Sequence, residues 1–492
     1  MSGAAGFAAG MWRGTGEIEL SLSGGVNPKT DFAGRRVTVL GLGRNAGGVA
    51  AARYLARLGA LVTVTDLQDE TLLRDSMQQL SDVDIQRFVL GGHPEAVFRE
   101  CDVLVVNPAV RPDHSGVLLA RGLGVEITSE IELFCRANQA TVIGVTGSNG
   151  KSTTSALIHH LLQQSWQNEQ RRVWLGGNIG ISLLDQLDRI AAGDIVVLEL
   201  SSFQLELLRQ RRFRPKIAVI TNFSPNHLDW HGTAAAYRRA KQGILDSQLP
   251  TDAAVLPTVN GSDPGWRARA RVFRFGNGDT EEDGVFLEPG CLVLRSGRIE
   301  DTMRGAQPPQ LPGAHNRLNI AAAACAAWLA GADPAGCADA LMSFIPLPHR
   351  LQFVAERFGR RFVNDSLATT PESAIQGLRA INGRIILLAG GYDKGQNLAE
   401  FAAEIAQHAT GVVLLGQTAP MLQRLIRAQD RQNETAVRVA RNPTDGFLQA
   451  VALSRPGDTV LLSPGCASFD WYRDYRDRGE QFSEMARAWT PQ

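Results

Sequence analysis

Short runs of apolar, β-branched residues alternate with helical patterns along almost the whole chain. RRVTVLGLG at 35–43, TVIGVTG at 141–147 and RIILLAGG at 384–391 are continuously apolar rather than alternating in polarity. Such runs are typical of strands that are covered on both faces of a parallel sheet, and each run ends in a glycine-rich turn before a helical pattern. The chain is therefore predicted to be an α/β protein with parallel sheets.

This strand–turn–helix pattern starts afresh twice, which predicts three tandem domains over residues 31–139, 140–346 and 347–492. The new starts lie near Ala140 and after the proline-containing joint at 346–348. A chain of 492 residues fits three domains of about 100–200 residues each. Residues 1–30, which begin with a Gly-, Ala- and Ser-rich stretch, are predicted to be a flexible tail.

Composition and charge exclude several classes of function. The chain has 50 Lys and Arg against 50 Asp and Glu, so no general attraction to nucleic acid or to an anionic membrane is expected. No apolar run approaches the ~18 residues of a membrane span. The six cysteines lack metal-type spacing and are predicted to be buried free thiols, which fits a cytoplasmic protein.

The clearest chemical motif is GVTGSNGKSTT at 144–154. A predicted strand leads into a glycine-rich loop, and a helical pattern follows at once. Glycines let backbone N–H groups turn towards a phosphate, and a helix N-terminus adds positive potential. Lys151 is expected to neutralise nucleotide phosphates and Ser152 to coordinate Mg²⁺. The spacing is not that of a standard phosphate loop, because five residues rather than four separate Gly144 from Gly150.

Polar residues follow two further predicted strands of the same domain. Glu199 ends the strand in LELSSFQLE, and His227 follows the next strand in TNFSPNHLDWHG. Parallel sheets bind ligands at the carboxyl ends of their strands, and a carboxylate suits Mg²⁺. We therefore expect Glu199 at a magnesium site and His227 at a magnesium or phosphate contact. The pattern alone predicts a structural role for His231 and a solvated side chain for Lys241.

A second glycine-rich loop lies in the first domain. GLGRNAGG at 41–48 follows a predicted strand and opens a helix, and Asp66 ends the next strand. The arrangement is similar to a dinucleotide-binding loop, but its spacing is not GxGxxG, and that motif is weak on its own. The pattern supports only a nucleotide or diphosphate at this helix N-terminus.

Together these segments resemble the Mur ligase family of ATP-dependent amide ligases. The motifs TGSNGKST, GGNIG, ELSSFQLE, NHLDWHG, YRRAKQGIL, LPGAHNRLN, PHR, NDS, GGYDKG and SPGCASFD occur in this order over about residues 33–490. The resemblance implies Rossmann-like first and third domains around a central P-loop ATPase-like domain. It implies a cytoplasmic monomer that uses ATP to join glutamate, expected to be D-glutamate, to UDP-N-acetylmuramoyl-L-alanine in peptidoglycan precursor synthesis.

The resemblance also assigns roles to matching residues. It implies ATP contacts from Gly147, Ser148, Asn149, Gly150, Lys151, Ser152, Thr153, Asn316, Arg350 and Asp365. It implies two Mg²⁺ sites formed by Ser152, Glu199, His227 and Lys241, with Lys241 carbamylated so that it offers carboxylate-like oxygens. The implied catalytic residues are Lys151, Glu199, His227 and Lys241. Substrate contacts are implied for Gly41, Gly43, Asp66, Asn178, Thr369, Lys394, Ser468 and Tyr475.

Two departures from the family pattern leave alternatives open. Leu367 replaces a lysine that the family commonly has beside the glutamate site, so L-glutamate stays an alternative, and so does compensation by a nearby arginine. The segment LQD after Asp66 lacks the basic residue expected near uracil. The rival functions are another Mur or folylpolyglutamate-type ligase, an NAD-dependent dehydrogenase that uses the loop at 41–48, and an inactive UDP-sugar-binding protein.

Overall fold

The computed structural model describes residues 31–43, 46–108, 110–179, 181–209, 211–225, 227–258, 265–277, 281–297, 299–304, 311, 313–393, 396–430 and 435–491. The chain forms two compact units. Unit 1 runs to Ala306 and includes Leu318–Leu341, and unit 2 consists of Gln307–Arg317 and the chain from Met342 onward. The boundaries at 139 and 346 stay a prediction.

The first sheet of unit 1 is Rossmann-like. Its strands are β1 (Arg36–Leu40), β2 (Leu61–Asp66), β3 (Arg87–Leu90), β4 (Val103–Val106) and β5 (Glu126–Thr128). Its helices are α1 (Ala46–Arg57), α2 (Glu70–Gln78), α3 (Ala96–Arg99), α4 (Ser115–Gly122) and α5 (Glu130–Ala137). All neighbouring strands are parallel in the order β3-β2-β1-β4-β5, which confirms the predicted α/β class.

The second sheet of unit 1 is larger. Its strands are β6 (Thr141–Thr146), β7 (Val173–Gly177), β8 (Ile195–Glu199), β9 (Ile217–Ile220), β10 (Ala253–Pro257), β11 (Arg271–Asn277), β12 (Gly284–Glu288), β13 (Cys291–Ser296) and β14 (Ile299–Arg304). The helices that follow β6 are α6 (Lys151–Ser165), a 3-10 helix (Leu184–Arg189), α7 (Ser202–Arg209), α8 (Leu228–His231), α9 (Ala234–Gln242), α10 (Ala314–Leu329) and α11 (Pro334–Ser343).

Strand order in this sheet brings the predicted site loops to one edge. The order is β14-β13-β12-β11-β10-β9-β6-β8-β7, and among these strands only β13 runs opposite to the others, antiparallel to both β12 and β14. Strand β6 lies between β8 and β9 and is parallel to both. The loops after these three strands therefore open at the same carboxyl edge, where parallel sheets bind ligands.

Unit 2 contains one sheet. Its strands are β15 (Gln352–Arg357), β16 (Arg360–Asn364), β17 (Ile385–Gly390), β18 (Gly411–Leu415), β19 (Ala436–Val439) and β20 (Thr459–Leu462). Its helices are α12 (Pro371–Ala380), α13 (Ala399–His408), α14 (Ala419–Gln429), α15 (Pro443–Leu453) and α16 (Tyr475–Ala488). The order is β15-β16-β20-β17-β18-β19, and β15 alone is antiparallel to its neighbour.

One hydrophobic core joins the two sheets of unit 1. Val62 of the first sheet and Leu198 of the second belong to the same buried cluster, together with Leu183 from the segment after β7. Burial of a Val or Leu side chain contributes about 1.5–3 kcal/mol. An ion pair of 2.7 Å between Arg53 and Asp185 adds a polar contact at the same place. The segment after β7 is therefore held against the first sheet.

Two expectations from composition can be compared with the structure. All six cysteines are free, as predicted, but Cys135 and Cys291 are partly exposed rather than buried. Within the ranges given above, no helix combines the length and the apolar character that a membrane span requires.

Candidate functional site

The phosphate-loop lysine lies at the first position of α6. Its Nζ donates hydrogen bonds to the carbonyl oxygens of Gly147 and Ser148, both at 3.0 Å. Gly150 precedes the helix with φ of 80°, and a Cβ atom there would lie 2.2 Å from Asn319 Oδ1. The first N–H groups of a helix have no intrahelical partners, so this loop presents both Lys151 and backbone donors to an anion.

The loop after β9 braces the phosphate loop. Asn222 Oδ1 accepts from the backbone N–H of Asn149, and Asn222 Nδ2 donates to the Asn149 carbonyl, both at 2.9 Å. Ser148 Oγ donates to the Ser224 carbonyl at 2.8 Å, and the Tyr237 hydroxyl lies 3.2 Å from the same Oγ. Sequence reasoning missed Asn222, Ser224 and Tyr237. The only signal was their place in two motifs, TNFS and YRRAK, that flank the predicted ligand His227.

Glu199 ends β8 as predicted, with one carboxylate oxygen unpartnered. Its Oε1 accepts from Asn178 Nδ2 at 2.9 Å, whereas its buried Oε2 has no hydrogen-bond partner in the described structure. The residue is only 2% exposed. A buried carboxylate oxygen normally has a partner, because desolvation without one is costly. A hard cation such as Mg²⁺ would satisfy this oxygen, so the residue fits the predicted magnesium site.

The neighbouring Asn178 contacts Glu199 through both backbone and side chain. Its backbone N–H donates to the Glu199 carbonyl at 2.8 Å, in addition to the side-chain bond. The preceding Gly177 has φ of 90°, and a Cβ atom there would lie 2.3 Å from the Glu199 carbonyl oxygen. The turn after β7 is thereby closely packed against the end of β8. The predicted contact of Asn178 with a muramoyl group stays a prediction.

Lys241 is buried, so the solvated side chain that its pattern alone predicted is wrong. It is 1% exposed, its Nζ donates to the Gly147 carbonyl at 2.7 Å, and it lies 4.5 Å from the ring centroid of Tyr237. Burial, followed by repulsion from Lys151, lowers the pKa of Lys241 well below its ordinary value, while Glu199 opposes this shift. A lysine with such a pKa is available as a neutral amine.

The remaining predicted metal residues lie on neighbouring elements. Ser152 is the second residue of α6, and His227 follows β9 with its ring centroid 5.0 Å from that of Phe203 and 6.2 Å from that of Tyr237. Among the described residues, no three His, Cys, Asp or Glu side chains form a metal-binding group. A cation here would therefore need further ligands, such as hydroxyl or phosphate oxygens or a modified lysine.

The glycine-rich loop of the first sheet is held by Asp66. Its Oδ2 accepts from the Gly43 N–H and its Oδ1 from the Gln68 N–H, both at 2.9 Å. Gly41 and Gly43 have φ of 88° and 65°, and a Cβ atom on Gly48 would lie 2.3 Å from a backbone carbonyl of the loop. Helix α1 therefore approaches the loop closely, as a phosphate-binding turn requires. The substrate contacts of Gly41, Gly43 and Asp66 stay predictions.

In unit 2, Asp365 follows the end of β16 in a buried position. Its Oδ2 accepts from Ser463 Oγ at 2.7 Å and its Oδ1 from the Leu351 N–H at 3.1 Å. Burial raises its pKa to about 7, although the Ser463 hydrogen bond and Arg350 oppose the shift. Burial and Arg350 also lower the pKa of His315 to about 4. Two predicted nucleotide contacts of unit 2, Asp365 and Arg350, are thus close enough to interact, and the third, Asn316, adjoins His315.

A buried arginine that sequence reasoning missed links the loops of the predicted glutamate site. Arg478 is 1% exposed; its Nε and one terminal nitrogen donate to Ser366, and the other terminal nitrogen donates to the carbonyls of Cys466 and Ala467. Burial lowers its pKa to about 10. Arg478 contacts Ser366, which precedes Leu367. Its hydrogen bonds therefore hold the loops of the predicted site together.

The other predicted glutamate contacts are described only in part. Ser468 is buried, and Tyr475 begins α16, where its carbonyl accepts from Ser366 Oγ at 2.7 Å. Thr369 donates its N–H to the Leu367 carbonyl at 2.8 Å. Lys394 lies outside the described residues. Contacts of these residues with a substrate stay predictions.

Comparison with known proteins identifies one family. Three family models match in series: the Mur ligase MurD-like N-terminal domain at residues 35–129, the Mur ligase middle domain at 145–327 and the Mur ligase glutamate ligase domain at 349–466. The UDP-N-acetylmuramoylalanine–D-glutamate ligase of Roseiflexus sp. is 40% identical over 482 residues, which cover 93% of this chain and 100% of the relative.

Two further relatives agree with this result. The enzyme of the same name from Pelotomaculum thermopropionicum is 36% identical, over 92% of this chain and 98% of its own. The solved structure of UDP-N-acetylmuramate–alanine ligase MurC from Thermotoga maritima shares the fold, with a TM-score of 0.58 and 21% identity over 92% of this chain and 99% of that one. The chain therefore belongs to the Mur ligase family.

Proposed function

We propose that this protein is an ATP-dependent, ADP-forming ligase that joins D-glutamate to UDP-N-acetylmuramoyl-L-alanine in peptidoglycan precursor synthesis. The L-alanine carboxylate attacks the γ-phosphate of ATP, which gives an acyl-phosphate and ADP. The glutamate amine then attacks the acyl carbon, so that the amide forms and phosphate leaves. The observation that carries the proposal is the buried Lys241, which interacts electrostatically with both Lys151 of the phosphate loop and Glu199. Within the described structure, Oε2 of that glutamate is buried without a hydrogen-bond partner. The choice of D-glutamate is supported by the names of the two relatives that are 40% and 36% identical.

Lys151 and the N-terminus of α6 have the central electrostatic role. Phosphoryl transfer spreads negative charge over the transferred group, and fixed positive groups stabilise that charge. The backbone hydrogen bonds of Lys151 hold its ammonium group over the loop. A nucleotide phosphate would replace those carbonyl oxygens as the acceptor.

Two Mg²⁺ sites are proposed, with Ser152, Glu199, His227 and a carbamylated Lys241 as the residues that hold them. When bound, Mg²⁺ would neutralise phosphate charge. Carbamylation requires the neutral amine of Lys241, which attacks CO₂ and loses a proton to leave a carbamate anion. Its burial and lowered pKa favour that amine. The change from amine to anion would also place a negative charge beside Lys151, which lies close enough to repel a Lys241 ammonium group.

Other residues are proposed to bind the remaining groups. In unit 1, the loop at 41–48 and Asp66 bind UDP, and Asn178 binds the muramoyl group. In unit 2, Asn316, Arg350 and Asp365 contribute to nucleotide binding, and the proposed glutamate contacts are Thr369, Lys394, Ser468 and Tyr475. We further propose that the enzyme acts as a monomer in the cytoplasm, which agrees with six free cysteines.

One experiment tests this function. The purified protein is incubated with ATP, UDP-N-acetylmuramoyl-L-alanine and either D- or L-glutamate, and ADP, phosphate and the amide product are measured. We expect product and stoichiometric phosphate with D-glutamate. A preference for L-glutamate would contradict the choice of amino acid and implicate the pocket around Leu367, whereas turnover with neither enantiomer would overturn the substrate assignment. Formation of NADH from NAD instead of ADP from ATP would favour the rival dehydrogenase.

A further inference from the structure

His231 lies in a cluster of aromatic rings beside the proposed metal ligand His227. The Phe203 ring has its centroid 5.0 Å from that of His227 and 5.6 Å from that of His231, and it is stacked on His231 at an interplanar angle of 11°. Trp230 contacts His231 edge-on at 4.5 Å, and Tyr237 lies 5.3 Å from it. One phenylalanine ring therefore lies against both histidines.

His231 also joins two elements through hydrogen bonds. Its Nε2 is 2.9 Å from Oγ of Ser202, a buried residue that begins α7, three residues after Glu199. Its backbone N–H donates to the His227 carbonyl at 3.0 Å. A single residue thus links the start of α7 to the backbone of His227.

His227 has an unusual backbone conformation. Its φ of 52° lies in the left-handed region, which is unfavourable for a non-glycine residue. Such a conformation persists where the surroundings hold it in place, and it is common at functional sites. Around His227 these surroundings are the turn of α8 and the cluster of aromatic rings. His231 belongs to both, because its backbone N–H bonds to the His227 carbonyl, its ring stacks on Phe203 and its Nε2 contacts Ser202.

We propose that His231 and Ser202 are positioning residues for the metal site. Their hydrogen bond and the stack on Phe203 hold His227 in the left-handed conformation that presents it as a ligand. The inference rests on the proposed function, because it takes His227 as a cation ligand. Residues that orient a metal ligand without touching the metal typically change metal affinity by about 10–100-fold when they are replaced.

Mn²⁺ binding tests this role without relying on turnover. The protein is dialysed to equilibrium against Mn²⁺ and ADP, and the excess metal on the protein side gives the bound fraction. His231→Phe retains a ring for the stack but loses the hydrogen bond, and Ser202→Ala removes the same bond from the other side. We expect each variant to bind Mn²⁺ about tenfold more weakly. The double variant should be no weaker than either single variant, because the two substitutions remove one shared interaction.

Two controls separate this inference from the proposed function. His227→Ala should lose Mn²⁺, and His408→Phe, in unit 2, should bind it as the wild type does. If His227→Ala loses Mn²⁺ while both positioning variants stay within about twofold of wild type, the inference is overturned and the metal assignment stands. If His227→Ala itself binds Mn²⁺ as the wild type does, both the metal assignment of His227 and the positioning role of His231 and Ser202 are overturned. Should His231→Phe not fold, Ser202→Ala decides, with its thermal unfolding and metal-free ADP binding checked against wild type.

Discussion

Lys241 donates a 2.7 Å hydrogen bond to the carbonyl oxygen of Gly147, the same oxygen that accepts from Lys151 at 3.0 Å. Two lysine side chains therefore converge on one carbonyl of the phosphate loop. Burial is the main cause of the lowered pKa of Lys241, and repulsion from Lys151 adds to it. Burial, more than the shared acceptor, therefore sets the chemistry of Lys241.

Lys241 is expected to take up CO₂. With ¹³C-bicarbonate, wild-type protein should show a carbamate signal by NMR that Lys241→Met lacks. The signal should grow as pH rises, because only the deprotonated amine reacts. Lys216→Met is the matched control, since Lys216 is a partly exposed lysine paired with Asp252 at 3.2 Å. An active enzyme without the signal at alkaline pH would contradict carbamylation.

Replacement of Lys151 should affect phosphoryl transfer far more than folding. In Lys151→Ala we expect ADP formation to be lost, by at least about 10²–10³-fold, as on removal of one fixed donor to a transition state. Its Nζ donates to two backbone carbonyls of the loop that precedes it, rather than to a distant part of the chain, so the thermal unfolding temperature should change little. Binding of UDP-N-acetylmuramoyl-L-alanine by calorimetry serves as the control. Full ligase turnover in this variant would rule out the proposed function.

Asn178 is expected to act on the metal site as well as on substrate. Asn178→Ala removes the donor to Glu199 Oε1, so the carboxylate loses the bond that orients it. The Mg²⁺ concentration for half-maximal velocity should rise about tenfold. This is measured by titrating Mg²⁺ at saturating ATP and substrate. A change confined to KM for the muramoyl substrate, at unchanged Mg²⁺ dependence, would limit Asn178 to substrate binding.

Asp365 should make unit 2 less stable as pH rises. Its folded-state pKa of about 7 lies above the ordinary value, so the folded state binds the proton more tightly. As pH rises from about 4, the ordinary pKa of an unfolded aspartate, to the folded-state pKa of about 7, the free energy of unfolding falls. The upper limit of this loss is about 4 kcal/mol.

Urea unfolding of wild type and Asp365→Asn at pH 5 and pH 8 measures this effect. The asparagine amide does not titrate, so its contribution to stability does not change with pH. The free energy of unfolding of the variant minus that of wild type should therefore be larger at pH 8 than at pH 5. Ser463→Ala, which removes a hydrogen bond that favours the ionised form, should steepen the loss. An equal difference between wild type and Asp365→Asn at both pH values would refute the shifted pKa.

Local patterns predicted the parts of the site that lie at the ends of strands. The continuous apolar runs gave the sheets, and Lys151 and Glu199 follow directly from a strand–loop–helix unit and a strand end. Lys241 was different, because a helical pattern shows only which face is polar. Lys241 is buried against the phosphate loop, which lies 94 residues earlier in the chain. The contacts of Tyr237 and Arg478 could not be predicted for the same reason, because their hydrogen-bond partners are distant in sequence.

Asp66 shows a second limit of sequence reasoning. The family resemblance implied a substrate contact for Asp66, and the structure adds that its two oxygens accept the backbone N–H groups of Gly43 and Gln68. A strand-end carboxylate that shapes a loop and one that binds a ligand have the same local sequence. The structure shows the loop-shaping contacts of Asp66, and its contact with UDP stays a proposal.

The common core of the two sheets in unit 1 limits how this enzyme can be rebuilt. Leu183 and the Arg53–Asp185 ion pair belong to a contact surface that spans both layers. A fragment that stops at residue 139 would expose that surface to water and would be prone to aggregate. Chimeras made with related ligases should therefore exchange both sheets of unit 1 together, so that the residues on the two sides of this contact surface come from the same protein.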